Sequence, residues 1–495
     1  MASTNRVQVA SVKETTVGTT PASPRMRARR TTGEGLKWVP TFVDSEELRD
    51  DGMNGPPIKT GEDSNGDIKF ELSYPYPATP QSTDIESAFH NTWSATNFRD
   101  NDGTADSVIT AVATTNEVLT VITGTAFAAN ELYRFLGFGV AGNNSPSAFK
   151  CTQGSATVPR FVGSGITDEA VPPAGARVKC VGFQGDAGDI NATANGISST
   201  SLDFTTIAAL QPGKWLKIGG TGAGNRFVTA ALNDWVRIIA VAAHAVTFDN
   251  LPSGWATETG TGLTVKFWFG DQIKNGTTQI GQTIEKGFLG QAVPTYIKQP
   301  GMVVSQYTQD WTAKTKITGS VTFMGMGGAS QSIAPLDAVP DPTTSLTQFP
   351  VMAASANVGR IAEAGSRLAA PNFVQSLKWT IDNQLTAVDA IDSMGPAAIS
   401  SHSRKVTLTI NTYFGDNTLL AKFFAGTLTS LNARVAKDSR AVILSFPQLT
   451  YNGDGSPNAD AMNKDVMLSL QAVASKDETV TGAMILMDRI EWFEN

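Results

Sequence analysis

The most constraining feature of this 495-residue sequence is a long series of short segments in which apolar and polar residues alternate. Residues 68–74 (IKFELSY) and 405–414 (KVTLTINTYF) show the pattern, and turns rich in glycine or asparagine separate such segments. A period of two residues is typical of strands that bury one face. The 46 glycines and the low charged share of 17% favour an ordered protein with many turns over a disordered one. The sequence therefore predicts a mainly β fold of sandwich or barrel type.

The middle of the chain contains an internal repeat. In residues 108–190 an aromatic-flanked strand runs into a Gly-Asn turn, and a β-rich stretch then ends with Val178-Lys179-Cys180. Residues 191–273 follow the same order and end with Val265-Lys266-Phe267. Units of this size, made of short strands and turns, are typical of small β-sandwiches or barrels. Because the second copy has Phe267 in place of Cys180, we interpret this cysteine as a packing residue.

This repeat suggests a chain in which one domain is interrupted by two others. We expect two inserted Ig-like or barrel-like β domains within a discontinuous β-sandwich or barrel domain that one α-helix flanks. The expected boundaries are 103–190 and 191–275 for the inserted domains, and 1–102 with 276–495 for the discontinuous domain.

Two segments carry a helical pattern instead of an alternating one. Residues 83–93 place Ile85, Phe89 and Trp93 on one face, and residues 417–434 carry a long apolar stripe. Spacings of three and four residues predict amphipathic helices at both places. His90 lies off the apolar stripe of the first helix, so we expect it at the surface.

The charge of the chain is unevenly distributed near its start. Residues 1–30 hold six basic residues and one acidic residue, a net charge of +5, whereas residues 31–100 hold five basic and thirteen acidic residues, a net charge of −8. Residues 1–30 are expected to be an extended, mobile arm, and residues 44–67 a long loop with Gly-Pro-Pro and Asn-Gly punctuation. The arm is either a solvated terminus or a segment that docks on an acidic neighbouring subunit.

The second interpretation of the arm gives a set of candidate assembly residues from the two charged segments. They are Arg25, Arg27, Arg29, Arg30, Glu46, Glu47, Asp50 and Asp51.

The sequence offers little support for catalysis or for a bound cofactor. It contains no nucleophile elbow, phosphate-binding loop or zinc-protease motif, and its three histidines are far apart. The glycine-rich run 219–225 does not fit a dinucleotide-binding fingerprint and is typical of a hairpin turn. A net charge of −7 disfavours general binding of nucleic acid. We therefore expect no enzyme activity, no cofactor and no metal. No signal peptide or membrane span is expected either.

The two flanks of the repeat carry several short motifs in a characteristic order. They include Glu14-x-x-x-Gly18-Thr-Thr-Pro21, Ser45-Glu46-Glu47-Leu48-Arg49, Glu285-Lys286-Gly287-Phe288, Thr318-Gly319-Ser320 and Phe414-Gly415-Asp416. None of these motifs is specific alone, but in their order the two flanks resemble the tail tube proteins of siphophages, the long-tailed bacteriophages. The resemblance does not cover residues 103–275, which are therefore expected to decorate the outer surface.

This resemblance implies a structural virion protein that assembles in the host cytoplasm and functions in the tail. Six subunits would share a closed β-barrel in each ring, and rings would stack around the tape measure protein and later conduct DNA without binding it specifically. Other expected partners are the tail terminator and tail-tip proteins. No association with a membrane is expected. The family would place the 44–67 loop and the 1–30 arm at ring-to-ring contacts, so deleting the arm is expected to leave soluble subunits that form no tubes.

Two other functions are compatible with the same residues. The second is a carbohydrate-binding tail-tip or fibre protein that acts through the 103–275 domains. Aromatic residues there, such as Trp215, Trp235, Trp255 and Trp268, could stack on sugars, although packing in a core explains most of them better. The third reading is a glycan hydrolase, which would need a cleft with paired carboxylates. A tube subunit would be present in many copies in each virion, and a tip protein in few.

Overall fold

A computed structural model describes residues 6–101, 108–341, 349–453, 455–457 and 462–494 of the chain. Strands account for 43% of the chain and helices for 8%. The predicted mainly β fold is therefore confirmed. Within the described ranges, no helix is both long and apolar enough to cross a bilayer. We call residues 98–270 the insert and the two flanking parts together the body.

The elements of the body that precede the insert are β1 (Val7–Lys13), β2 (Arg27–Ala28), β3 (Gly33–Glu34), β4 (Lys37–Val43), β5 (Ile58–Glu71) and α1 (Pro80–Phe89). The strands of the insert are β6 (Phe98–Asp100), β7 (Ile109–Ala113), β8 (Val118–Val121), β9 (Glu131–Leu136), β10 (Phe149–Lys150), β11 (Arg177–Gln184), β12 (Asn191–Thr193), β13 (Gly196–Ser198), β14 (Trp215–Ile218), β15 (Trp235–Ala242), β16 (Ala245–Asp249) and β17 (Lys266–Trp268).

The body resumes after the insert, and its first elements here are β18 (Asp271–Lys274), β19 (Gln282–Phe288), β20 (Thr295–Thr312), β21 (Thr318–Met324), β22 (Ser330–Ser332), α2 (Ala354–Asn357), β23 (Val358–Glu363), β24 (Ser366–Arg367) and β25 (Val374–Asp382). The remaining elements are β26 (Leu385–Val388), β27 (Ala398–Ser401), β28 (Lys405–Tyr413), α3 (Thr418–Ala425), β29 (Thr429–Lys437), β30 (Arg440–Asn452), β31 (Met467–Ala474) and β32 (Leu486–Ile490).

The body consists of antiparallel sheets that share the long strand β20. The second half of β20 pairs with β21 and β25, and β5, β28 and β31 extend this sheet on either side. The first half of β20 pairs with β19, which pairs with β1. A further layer joins β23, β29, β30, β32 and β18. The alternating apolar residues of these strands meet in one core, in which the Trp379 ring contacts those of Tyr307 and Phe446.

The sheet of the insert crosses the boundary predicted between its two units. Strands β9 to β11 belong to the first unit and β12 to β17 to the second, and β11 pairs with β17. Gly182 of β11 allows this close pairing, because a Cβ at this position would lie 2.1 Å from the Phe267 carbonyl oxygen. The buried apolar residues of both units form one cluster. The two units thus share one sheet and one core, and their treatment as separate domains remains an expectation.

The internal repeat is visible as a recurring hydrogen-bond pattern. In the first unit, the Glu169 carboxylate accepts from the backbone N–H groups of Gly139 and Val140. In the second unit, the Glu258 carboxylate accepts from Val228 and Thr229 in the same way. In both units an asparagine side chain closes the adjoining turn by hydrogen bonds with the backbone N–H and carbonyl of a phenylalanine. Asn144 binds Phe138 in this way, and Asn233 binds Phe227. The same local structure is therefore built twice, although few residues are identical.

The insert packs firmly against the body. Trp215, Trp235 and Trp268 of the insert are buried together with Ile490 and Phe493 near the end of the chain. The Trp215 indole N–H donates to the Ser445 hydroxyl of β30 at 2.9 Å. The contact is thus both apolar and specific, which favours a fixed orientation of the insert over a flexible tether.

Residues 6–30, the described part of the predicted mobile arm, differ from that prediction. Strand β1 pairs along its whole length with β19, and β2 pairs with β1 through Ala28 and Arg27. Val9 and Ala10 are buried in the body. The sequence pattern was misleading because the polar residues of this segment, with Pro21 and Pro24, lie between and beside short strands that complete a sheet edge.

Three further expectations are corrected by the described elements. The 44–67 loop is shorter, because β5 begins at Ile58 and pairs with β4. The 417–434 helix ends early, since α3 stops at Ala425 and Gly426 adopts a left-handed φ of 60°, after which β29 begins. The first helix spans Pro80–Phe89, and His90 caps it in a left-handed conformation. His90 is buried, with only 1% of its surface exposed.

Candidate assembly surface

A hairpin formed by β4 and β5 projects beyond the sheet of the body. The part of β5 from Glu71 to Asn65 pairs with β21, whereas the part from Asn65 to Ile58 pairs only with β4. Gly66, with φ +139°, lies at the change of partner, where a Cβ would be 2.3 Å from the Gly35 carbonyl oxygen. A glycine is therefore needed for the hairpin to leave the sheet at this point.

The projecting hairpin carries large apolar side chains that face solvent. Six of the seven residues of β4 are exposed, which is unusual for a strand with this composition. The apolar residues exposed here are Trp38, Val39, Phe42, Val43 and Ile58. The outer edge of β4 is also free of a strand partner within the described residues. A long, apolar edge strand is a surface that invites pairing with another chain.

A second hairpin, formed by β26 and β27, lies beside the first. It follows the end of β25 at Asp382 and returns to the start of β28 at Lys405. The Glu62 backbone N–H donates to the Met394 carbonyl at 2.7 Å, which joins the two hairpins. Ile391 is fully exposed at its tip, and half of the Met394 surface is exposed. We call the end of the sheet that bears both hairpins the hairpin end.

The predicted acidic assembly residues lie at the tip of the first hairpin. Glu46, Glu47, Asp50 and Asp51 all belong to the exposed turn 44–57 between β4 and β5. Arg49 pairs with Asp51 at 2.6 Å and holds the pKa of that carboxyl below its usual range, helped by a backbone hydrogen bond from Met53. Leu48, which lies between Glu47 and Arg49 in this turn, is fully exposed. With five acidic residues and one arginine in the turn, the tip is both acidic and apolar.

The predicted basic assembly residues have partners within the same subunit. Arg29 is buried and forms a two-pronged ion pair with Asp84, at 2.8 and 2.9 Å. Arg25 and Arg27 both pair with Asp341, at 2.8 and 3.2 Å.

Arg30 donates to the Phe349 carbonyl at 2.7 Å, and burial lowers its pKa. These contacts join the arginines to the body and not to the acidic turn. Arg29 is therefore a core residue, whereas Arg25 and Arg27 stay partly exposed.

Metal binding and thiol chemistry depend on the His, Cys, Asp and Glu side chains in the described part of the chain. Among the described residues, no group of three or more His, Cys, Asp or Glu side chains is placed to hold a metal ion. Cys151 and Cys180 are buried free thiols, and burial raises the pKa of both. Sequence analysis missed the β26–β27 hairpin, although the alternation in 385–401 interrupted by Met394-Gly395-Pro396 was a usable hairpin signal.

Comparison with known proteins agrees with these features. No curated protein sequence matches the chain. A family model described as "Phage tail tube protein" matches residues 4–474, which includes the insert as well as both flanks. Members of this family are structural components of the virion tail that self-associate into a tube. Because the match covers nearly the whole sequence, the chain belongs to the phage tail tube protein family.

Proposed function

We propose that this chain is the tail tube subunit of a siphophage and that it assembles into stacked rings of six. The tube would enclose the tape measure protein during assembly in the host cytoplasm, and DNA would later pass through its lumen. The tail terminator and the tail-tip proteins would bind its two ends. The observation that carries this proposal, beside the family match, is the pair of projecting hairpins with exposed apolar residues at one end of the subunit.

The hairpins support assembly because their exposed apolar side chains are energetically unfavourable in an isolated subunit. Large exposed apolar side chains such as Phe42 and Ile391 lower the free energy when they are buried, by roughly 25 cal/mol per Å² of apolar surface. The free edge of β4 offers backbone groups to a neighbouring strand. Because the hairpins lie at one end only, the contact joins unlike surfaces, and unlike surfaces generate rings or open stacks.

The charge of the chain fits a conduit for DNA. The net charge of −7 opposes adhesion of phosphate groups to the tube wall. DNA would therefore pass without specific binding. The insert would lie outside the tube, since it adds a packed sheet with its own core that a lumen cannot accommodate.

The carbohydrate-binding alternative loses its main support in the structure. Trp215, Trp235 and Trp268 are at most 3% exposed and pack between insert and body. Trp255 is half-buried, with its indole N–H bonded to the Thr193 carbonyl at 2.9 Å. None of the first three offers a face on which a sugar ring can stack.

Electron microscopy of the purified chain tests the proposal. The full-length chain is imaged by negative stain over increasing concentration, alone and with isolated tail tips as nuclei. We expect rings or hollow tubes with knobs on the outside. Dispersed particles under both conditions would contradict the proposal.

A further inference from the structure

A cleft rich in arginine lies between the insert and the β23–β24 hairpin of the body. Its volume is about 640 Å³, and its lining includes Arg360, Arg367, Arg434 and Asp234. Arg360 and Arg434 are cross-strand neighbours on β23 and β29. Three arginines of the body thus line the cleft.

The acidic groups at this cleft do not balance its arginines. Asp234 approaches Arg434 only to 3.6 Å, and the more distant Asp249 pairs with Arg237.

Arg360 donates to the carbonyl groups of Asn250 and Gly365, while its buried Nε has no hydrogen-bond partner. Burial lowers the pKa of Arg360 and that of Arg434, the latter to about 10. A desolvated cluster of like charges is costly unless an anion enters it.

The cleft is at the end of the subunit opposite the two hairpins. Strand β25 begins at Val374 and β28 finishes at Tyr413, so this is the end of the sheet where Asn372 binds Asp416 at 2.8 Å. The β23–β24 hairpin lies here, because Lys422 of α3 pairs with Glu363. Residues 366–372, together with Asp416 and Lys422, line a pocket that adjoins the arginine cleft through Ser366 and Arg367.

We propose that the acidic tip of the β4–β5 hairpin of one subunit inserts into the arginine cleft of a subunit in the adjacent ring. This inference rests on the proposed function and identifies the site on the adjacent subunit that binds the hairpin tip. The carboxylates of Glu46, Glu47 and Asp50 approach the guanidinium groups of the three cleft arginines. Leu48 packs against the aliphatic parts of those arginine side chains.

A second copy of the chain is the occupant that the structure favours. The tip and the cleft have opposite charges, and they lie at opposite ends of one subunit. A subunit with these two features repeats head to tail without limit. Entry of the tip carboxylates also supplies anions to a cleft lined by three arginines and one aspartate, and contacts between arginine and carboxylate are strong and directional.

Engineered disulfides test the contact. We would combine Glu47→Cys with Arg367→Cys, and separately Asp50→Cys with Arg367→Cys, in the full-length chain. The two native cysteines are buried and do not interfere. The matched control combines Glu47→Cys with Lys476→Cys, because Lys476 is exposed but follows β31 at the hairpin end. Tails or tubes are oxidised and examined on non-reducing gels.

We expect a ladder of linked chains from at least one of the two Arg367 pairs, and at least tenfold less linkage from the control. Tubes that form normally but show no linkage from either pair, or equal linkage from the control, would overturn this inference and leave the proposed function intact. Absence of the chain from tails and tubes would instead overturn both.

Charge reversal gives a second, independent test. Arg367→Glu changes an exposed residue, so the fold is expected to persist, and stacking is expected to fall at least tenfold. Adding Glu46→Lys and Glu47→Lys to the same chain restores opposite charges and is expected to restore stacking. Unchanged stacking in the first variant, or no recovery in the second, would contradict the contact.

Discussion

Asp271 and Arg489 form a buried ion pair, with 2.9 Å between the Asp271 Oδ2 and the Arg489 Nε. The pair joins the strand that follows the insert to the last strand of the body. The same carboxylate binds Lys179 of β11 at 2.7 Å, and these two cations hold the pKa of Asp271 well below its usual range despite the opposing effect of its burial. One side chain thus ties the insert to the body.

The first prediction concerns this junction. Asp271→Asn leaves Arg489 buried without its counter-ion and Lys179 with only the more distant Glu491, at 3.6 Å, which is expected to lower the free energy of unfolding by about 3–5 kcal/mol. Chemical denaturation measures the change. The control Lys476→Gln removes an exposed pair with Glu478 and is expected to cost less than about 1 kcal/mol. Equal small effects in both variants would show that the junction does not depend on Asp271.

The second prediction separates two arginines of the N-terminal segment. Arg29 is buried and its partners include Asp84 and Gln282, so Arg29→Ala is expected to destabilise the subunit by about 3–5 kcal/mol. Arg25 is partly exposed, and Arg25→Ala is expected to cost less than about 1 kcal/mol. Deleting residues 1–30 should therefore unfold the body, and not merely stop assembly as the sequence suggested. A stable, soluble truncated chain would contradict this.

The third prediction concerns the exposed apolar hairpin. Phe42→Ser with Ile58→Ser changes side chains that face solvent, so the unfolding free energy of the subunit is expected to change by about 0.5 kcal/mol or less per site. Sedimentation is expected to show loss of large assemblies. Val171→Ser, at a still more exposed site on the insert, is the control and should assemble normally. Normal assembly of the hairpin variant would show that these side chains are not at a contact.

The fourth prediction is a pH dependence from His90. Neither ring nitrogen has a partner, and burial, with a contribution from the charge of Arg404, lowers the pKa of His90 to about 4 from 6.5. The unfolded chain therefore binds the proton first, and stability is expected to fall as pH drops from about 6.5 to about 4, by up to about 3 kcal/mol.

His90→Asn isolates this effect, because asparagine tolerates the left-handed backbone at this cap. The difference in unfolding free energy between the native chain and the variant is measured at several pH values. Taking this difference also cancels the contribution of Asp488, which both chains share. Burial raises the pKa of Asp488 to about 7, so its contribution to the pH dependence of stability opposes that of His90. A difference that does not vary between pH 7 and pH 4.5 would contradict the assignment.

The sequence predicted the strands of the body well, but it predicted the N-terminal segment and the 417–434 helix poorly. Alternation in 405–414 identified β28 because a strand with one buried face has a strict period of two. The apolar stripe of 417–434 suggested one helix, but Gly426 ends α3 and the following residues pair with β23 and β30. Tertiary pairing overrides local periodicity in such segments, although Gly426 was a usable signal for the end of the helix.

The candidate site was predicted in part. The acidic turn was identified by its composition, and the structure leaves it exposed. The selection of Arg29 rested on net charge, which says nothing about burial, and its side chain is buried in an ion pair with Asp84, a residue distant in sequence. The arginines of the cleft, such as Arg360 and Arg434, were not selected, since only the pairing of β23 with β29 brings them together.

Immunogold labelling of intact phage particles tests the central claim most directly. Antibodies against the insert would be bound to particles and imaged together with particles treated with a non-specific antibody. A tube subunit is expected to give gold along the whole length of the tail, at regular density. Gold confined to the tail tip or to fibres, or absent from particles shown to contain the chain, would contradict the account.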